Sequence, residues 1–400
     1  MPGRVAIAGG GIGGLSAALC LARAGLQVTV FERRARVEEA GAGIQLSPNA
    51  SRILLELGLG PALERLADQP ARLNVRRLSD GAELATMSFA DLATRHGAPY
   101  WALRRADLHG VLLTAAESAP GITLRNGETV RDAGMVEDIF TVTTEGDDGK
   151  RISEAFDLLV GADGLWSVTR RILHPRVLPD PRFTGYEAWR AMLPLAEASG
   201  LPQASDVGLW LGSGAHVVHY PVAAGTQLNI VLVRRGRNDT PGWSRPGSAS
   251  VLAPDIAAAA RPLRLLLGKV SDWQVWSLFD AQGVAMAGRR IALAGDAAHP
   301  VLPFLAQGAC LAIEDAACLG AALARADFAS AASLAAALAR YDTMRRARSA
   351  SVQRAARANG RTYHLSRPFS HARDAVLRTI GPNGMARRYD WLYGWKPPLI

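Results

Sequence analysis

Val5-Ala6-Ile7-Ala8-Gly9-Gly10-Gly11-Ile12-Gly13-Gly14 is an apolar β-like run that meets a cluster of glycines and continues as Leu15-Ser16-Ala17-Ala18-Leu19. The order reads as strand, tight turn, helix. In G-x-G-x-x-G register, Gly9 lets the chain turn, Gly11 lets backbone approach a pyrophosphate, and Gly14 lets the helix pack against the strand. The N-terminal amides of the helix then face the anion. The stretch from Val5 to Ala22 carries no charge and by itself also suits a signal peptide or a membrane span. Its sequel argues against both. Arg23-Ala24-Gly25 stops the helix, and a second strand, Gln27-Val28-Thr29-Val30-Phe31, ends on Glu32, about 20 residues on, where a ribose-binding acid is expected. A carboxylate there accepts hydrogen bonds from ribose hydroxyls and repels a 2′-phosphate. The spacing therefore predicts FAD or NAD rather than NADP, with Arg33 beside Glu32 as a further cofactor-binding candidate.

The 400 residues have room for two or three domains, and 49% hydrophobic content is ample for a sizeable core. Net charge is +9, yet all but Lys150, Lys269 and Lys396 of the 45 basic residues are arginine. No basic run interleaves with aromatics, so the charge reads as an arginine-rich surface that attracts anionic small molecules, not as a nucleic-acid or membrane site. Cys20, Cys310 and Cys318 sit in apolar helical stretches without paired or metal spacing. They are expected to be buried thiols in a reducing cytoplasm, with no metal site.

Downstream, Gly41-Ala42-Gly43-Ile44-Gln45 begins a glycine-rich loop fit to lie against a flat ligand, and Asn49 to Gly58 reads as a capped amphipathic helix. Leu73 to Phe89 alternates around Ser79-Asp80-Gly81, a hairpin signal. A helix follows from Arg105 to about Ser118, and the runs at Ile122-Thr123-Leu124 and Phe140-Thr141-Val142-Thr143 suggest a small antiparallel excursion. Phe156 to Gly161 is a buried strand ending in Ala162-Asp163-Gly164. Short strands with Gly/Pro turns fill Arg176 to Ala285, and Ile291 to Asp296 returns to the parallel style. The alanine-rich remainder is helical to about Arg361, and the aromatic tail Tyr389 to Trp395 is too apolar to be a free terminus.

Three strand ends thus run into Gly or Asp, at 9 to 14, 161 to 164 and 295 to 296, each able to serve one extended cofactor. On these motifs the chain resembles the single-component FAD-dependent aromatic hydroxylases, in particular the branch holding salicylate hydroxylase, 3-hydroxybenzoate 6-hydroxylase and 6-hydroxynicotinate 3-monooxygenase. The resemblance implies an α/β fold. A Rossmann-like FAD-binding domain would come from three segments, 1–72, 105–175 and 286–360. A β-sheet substrate domain would come from 73–104 and 176–285, and a helical C-terminal segment from 361–400. It implies FAD bound by Gly9, Gly11, Gly14, Glu32, Arg105, Asp163, Gly164 and Asp296, and by Gln307 and Gly308 at a helix start along the flavin ring. Many relatives carry glycine where this chain has Ala306.

The implied reaction uses NADH or NADPH and O2, through a flavin C4a-hydroperoxide, to hydroxylate a small hydroxy-aromatic or N-heteroaromatic carboxylate. The protein is expected to be a monomer or homodimer. No second glycine-rich unit serves the nicotinamide, which would visit transiently. On a strand, His216 and Tyr220 share one face and His219 takes the other. The 3-hydroxybenzoate branch has an active-site His and Tyr at this spacing, which makes His216 the candidate base and Tyr220 a substrate contact. Arg190 matches an arginine that could clamp a carboxylate. That branch has a glutamine in place of Pro303, while the 6-hydroxynicotinate branch has proline there but histidine in place of Gln45, so Gln45 and Pro303 are the expected substrate-side variables. Competing readings are an FAD oxidoreductase of the same fold acting on a non-phenolic substrate, and a non-catalytic FAD- or nucleotide-binding protein.

Overall fold

The computed structural model describes residues 2–35, 42–176, 180–237, 242 and 244–397; Gly41 of the expected glycine-rich loop lies outside them, and Gly43–Leu46 is not loop but a strand paired antiparallel with Trp101–Arg104. The opening strand, Arg4–Ala8, lies parallel between Gln27–Glu32 and Leu158–Gly161. Ile291–Leu293 extends the sheet on one side, with the short antiparallel Ala287–Gly288 at that edge. Val5, Ala6 and Ile7 have no solvent exposure, as expected of a parallel strand buried on both faces. The Ile12–Arg23 helix packs on the Gly308–Leu323 helix. Small residues allow that approach: a Cβ added at Gly320 would stand 3.1 Å from Cys20 Cβ. All three cysteines are free and buried there, and burial pushes the Cys310 thiol up to about 11.

Register aligns the strand ends. Ala8 pairs with Gly161 and Phe31, and Gly161 pairs with Leu293. The loops after Ala8, Gly161 and Leu293 therefore leave the sheet at one level, at its carboxyl end, where open α/β sheets bind ligands.

Ile122-Thr123-Leu124 departs from the expected antiparallel excursion. Ile122–Asn126 is the outer strand of this sheet, parallel to Gln27–Glu32. The preceding Arg105–Ser118 helix acts as a crossover that returns the chain in the parallel sense. The antiparallel unit is the next one, Glu128–Val136, Ile139–Gly146 and Arg151–Ala155.

The second layer is an eight-stranded sheet in the order Arg245–Gly247, Trp273–Asp280, Arg182–Pro194, Gln227–Arg235, Ala215–Val222, Val207–Leu211, Arg72–Arg77 and Glu83–Ser88. The predicted hairpin forms its edge and pairs parallel with Val207–Leu211. The region is not all short strands. Arg182–Pro194 has 13 residues and runs on through Gly185, which sits at φ +78° inside a bulge between Phe183 and Glu187. Short helices Ala253–Ala257 and Arg261–Leu267 interrupt the strands.

The C-terminal region is helical: Ala331–Tyr363, then Phe369–Arg388 and Asp390–Tyr393. Phe369–Arg388 packs on the Glu83–Ser88 strand, held by Arg77 Nε 2.7 Å from Asp374. Leu392 and Tyr393 of the aromatic tail are buried. Among the described residues no helix is long and apolar enough to cross a membrane.

Candidate active site

The glycine turn shows three different demands. Gly9 sits at φ +103°, and an added Cβ would come within 2.5 Å of the Ala162 carbonyl oxygen. At Gly14 it would come within 1.9 Å of Gly9 O, whereas at Gly11 it would meet nothing within 4 Å among the described residues. Gly11 is the N-cap of the Ile12–Arg23 helix and offers no side chain to its amides. Two glycines close the turn and one leaves a helix start open. This is a shape into which a pyrophosphate fits. Gly10 N–H donates to Glu32 Oε2 at 2.8 Å, and Arg34 N–H to Glu32 Oε1 at 3.0 Å. The acid is thereby held against the turn at the end of its strand, and Arg33 beside it is exposed. His109, from the Arg105–Ser118 helix, places Nε2 2.8 Å from Gly10 O and braces the turn from outside.

Asp163 turns inward. Its carboxylate accepts from the Ser167 hydroxyl and from Thr169 N–H (3.0 Å) and Oγ1 (3.1 Å), so it shapes the loop around Gly164, which sits at φ +79°. Arg170 then joins two of the motif loops, donating to Leu165 O at 2.6 Å and, more weakly, to Asp296 O and Ala297 O. Asp296 is exposed at the crevice, while its neighbours from Ile291 to Pro300 are otherwise buried or nearly so.

Behind Asp296 lies a buried ion network. Gly295 N–H and His299 Nε2 both reach Asp315 Oδ2, at 2.8 and 2.7 Å. Arg345 bridges Asp315 (2.6 Å) and Glu314 (2.7 Å). Burial works against the Arg345 charge, but the two acids outweigh it and raise its pKa. Asn49, expected to begin its helix, lies within it: the helix is Pro48–Glu56 with Ser47 at the N-cap. The Asn49 amide donates outward instead, to Glu314 Oε1 (2.6 Å) and Gln307 Oε1 (3.1 Å). Gln307 Nε2 in turn donates to Ser47 Oγ at 2.9 Å. The start of the Gly308–Leu323 helix is thus fixed from behind. Just before it, Ala306 adopts the left-handed region at φ +52°, which favours glycine.

Between this segment and the large sheet lies a cavity of about 260 Å³. Eight of the expected site residues line it: Gln45, Arg105, Arg190, His216, Tyr220, Pro303, Gln307 and Gly308. Its walls are otherwise aliphatic and aromatic, and among the described residues no aspartate or glutamate lines it. Arg190 packs its guanidinium 4.9 Å from the Trp276 ring centre, and its Nε has no hydrogen-bond partner among the described residues. Burial lowers its pKa from the ordinary arginine value, with Tyr220 opposing and Arg105 adding to the shift. Tyr220 is pushed up to about 12 by burial, against Arg190 and a hydrogen bond from Gln45. Gln45 Oε1 accepts from the Tyr100 hydroxyl at 2.6 Å. Tyr220 and Asn229 press on the backbone of Gly43, where an added Cβ would stand 2.7 and 2.6 Å from their side chains.

His216 Nδ1 lies 2.7 Å from His364 Nε2. Burial, and secondarily His364, hold His216 well below the ordinary histidine range, so the ring is neutral. His219 takes the opposite face of the sheet, near Trp210, as alternation requires.

Several cavity residues gave no sequence signal of their own. Tyr363, Tyr389 and Tyr393 arrive from the C-terminal helices, and only the apolar character of the tail hinted that it packs. Tyr100 also lines the cavity without any motif spacing, and His109, His364 and Asn229, which brace the site from outside the cavity, follow none either. They are brought in by strand register and helix crossing.

The family described as FAD binding domain matches residues 3–356. The chain is 36% identical over 396 residues to a 3-hydroxybenzoate 6-hydroxylase of Klebsiella oxytoca, covering 98% of this chain and 97% of the relative. It is 38% identical over 416 residues to a 3-amino-4-hydroxybenzoate 2-monooxygenase of Streptomyces platensis, with 98% and 96% covered. Among solved structures, HpxO of Klebsiella pneumoniae complexed with FAD and uric acid superposes with a TM-score of 0.82 at 26% identity, covering 96% of this chain and 95% of that one.

Proposed function

Because the chain belongs to the FAD binding domain family, and its full-length relatives are hydroxylases and monooxygenases, we propose that this FAD-dependent monooxygenase hydroxylates a small aromatic carboxylate bearing a ring hydroxyl. When bound, FAD would take two electrons from NADH or NADPH and pass them to O2, one atom of which enters the ring while the other leaves as water. The open helix start at Gly11, the acid at Glu32 and the loops at Gly164 and Asp296 would hold the dinucleotide, and the Pro303 to Gly308 segment would lie along its ring.

The observation that carries the substrate class is Arg190, a guanidinium inside a cavity that no carboxylate lines among the described residues. A buried cation without a protein anion favours an anionic ligand, and a planar fork matches a carboxylate. Arg105 lines the same cavity and adds to the positive field. The apolar walls suit an aromatic ring. His216 and Tyr220 lie on one face of the Ala215–Val222 strand, where they would meet the ring oxygen. The HpxO complex with uric acid supports a second reading, an anionic N-heteroaromatic ring in place of a benzoate.

The test is NAD(P)H oxidation by the purified FAD-loaded protein against salicylate, 3- and 4-hydroxybenzoate and 6-hydroxynicotinate, with product masses taken in the same runs. One acid is expected to accelerate oxidation and gain one oxygen. Its amide or methyl ester should be poor, and Arg190→Met should raise KM for the acid at least tenfold while leaving any activity on a neutral phenol. Equal use of acid and amide would refute the carboxylate assignment.

A further inference from the structure

His216 can serve a ring hydroxyl in two opposite ways, and the position of its proton decides between them. With Nε2 bare, it accepts the hydroxyl proton. With Nε2 protonated, it donates to the oxygen and holds it as an anion.

The partner that sets this is His364, one residue beyond the Ala331–Tyr363 helix. Its ring is wedged between Tyr186, at 5.0 Å, and Phe304, at 5.9 Å. Its Nε2 faces His216 Nδ1 at 2.7 Å, so one of these two nitrogens carries the shared proton. The other nitrogen of His364, Nδ1, is buried and meets no hydrogen-bond partner among the described residues. Orphaned buried N–H groups are rarer than under-used acceptors, because the donor loses its solvation outright. A bare Nδ1 is therefore the cheaper state. His364 is neutral, since burial, then Arg235 and Arg373, lower its pKa to about 4. With Nδ1 bare, its single proton sits on Nε2 and is donated to His216 Nδ1. His216, neutral as well, must then carry its own proton on Nε2, the nitrogen left for the cavity that it lines.

We propose that His364 is a positioning residue that locks His216 as a hydrogen-bond donor to the cavity, so that His216 binds the ring oxygen of the substrate as an anion instead of removing its proton. This rests on the hydroxy-aromatic reading above. The hydroxyl O–H breaks as the ligand binds, its electron pair stays on the ring oxygen, and its proton goes to bulk water. Nothing is oxidised or reduced in that step. Arg190 and Arg105 favour the same anion through space.

The deciding measurement is the long-range ¹H–¹⁵N spectrum of the FAD-loaded protein labelled with [¹⁵N]histidine, the His216 ring being assigned by the signals lost in His216→Gln. His216 is expected to show a protonated Nε2 and an accepting Nδ1, and His364→Leu should release it into a tautomer mixture. A wild-type His216 protonated at Nδ1 overturns the proposal. Turnover gives an independent reading: a glutamine side chain can donate but cannot act as a base. His216→Gln should lose no more than about tenfold and His216→Leu more than about a hundredfold. Loss of a general base predicts about 10²- to 10⁴-fold for both, and that result also overturns the proposal. If no hydroxylated acid accelerates NAD(P)H oxidation by the wild type, the substrate reading fails, and the spectrum still decides the tautomer.

Discussion

Gly11 and Gly14 belong to one motif, yet the structure asks opposite things of them, and alanine at each separates fold from cofactor. At Gly14 the added Cβ would sit 1.9 Å from the backbone oxygen of Gly9. No side chain can swing aside to make room, so the turn or the helix start must move. Overpacking of this kind costs about 1–3 kcal/mol. At Gly11 the backbone has φ −77° and ψ −175°, which alanine adopts, and the Cβ meets nothing. Alanine is a poorer N-cap than glycine but also restricts the unfolded chain, so the net change is within roughly 0.5 kcal/mol. The open space is where a pyrophosphate would approach. Losing one charge-assisted hydrogen bond to it is worth about 1.5–3 kcal/mol, or roughly 10- to 150-fold in Kd. The assay strips FAD, measures unfolding of each apoprotein, and titrates FAD back by quenching of flavin fluorescence. Gly11→Ala should unfold like the wild type and bind FAD at least tenfold more weakly, whereas Gly14→Ala should lose stability before any FAD is added. Wild-type affinity in Gly11→Ala, or equal destabilisation of both apoproteins, would refute this division of labour.

Gly43→Ala should displace Tyr220 or Asn229, because both stand under 3 Å from the new Cβ; steady-state kinetics should show turnover falling more than FAD affinity. Arg345→Met would leave Asp315 buried without its arginine, while Glu314 keeps Arg348 at 2.8 Å, so the loss should sit at the lower end of about 3–5 kcal/mol, visible as a lower denaturant midpoint with early release of FAD. Stability should also fall with acid. His219 is held down to about 3 and His364 to about 4, chiefly by burial. The unfolded chain takes up their protons near pH 6.5 while the folded protein does not, so stability is complete above that pH and declines as pH falls toward 3–4. Denaturant midpoints at pH 7 and 5 check this, and His219→Leu should make the decline shallower; an unchanged slope would show that His219 is not a source of it.

What the chain order alone determined was the cofactor half of the protein. Gly9, Gly11, Gly14 and Glu32 follow one strand and are spanned by one helix and one further strand, so local periodicity carries their relative positions, and each later motif again follows its own strand. The alternation of His216, His219 and Tyr220 was readable for the same reason: it depends only on the pleat. Local rules failed where a glycine had two uses, at Gly185, which bends a long strand instead of ending it, and where strand direction depended on a crossover, at Ile122–Asn126. Asn49 had the chemistry of a cap but found a stronger partner in Glu314, 265 residues away. The substrate cavity was the least legible part. Register alone sets Arg190 opposite Val231 and His216 opposite Val233, and the long C-terminal helices bring Tyr363, His364, Tyr389 and Tyr393 back over the sheet. His364 gave no signal in the sequence because its role is a single nitrogen 2.7 Å from a residue 148 positions earlier, and a contact of that kind exists only once the chain has packed.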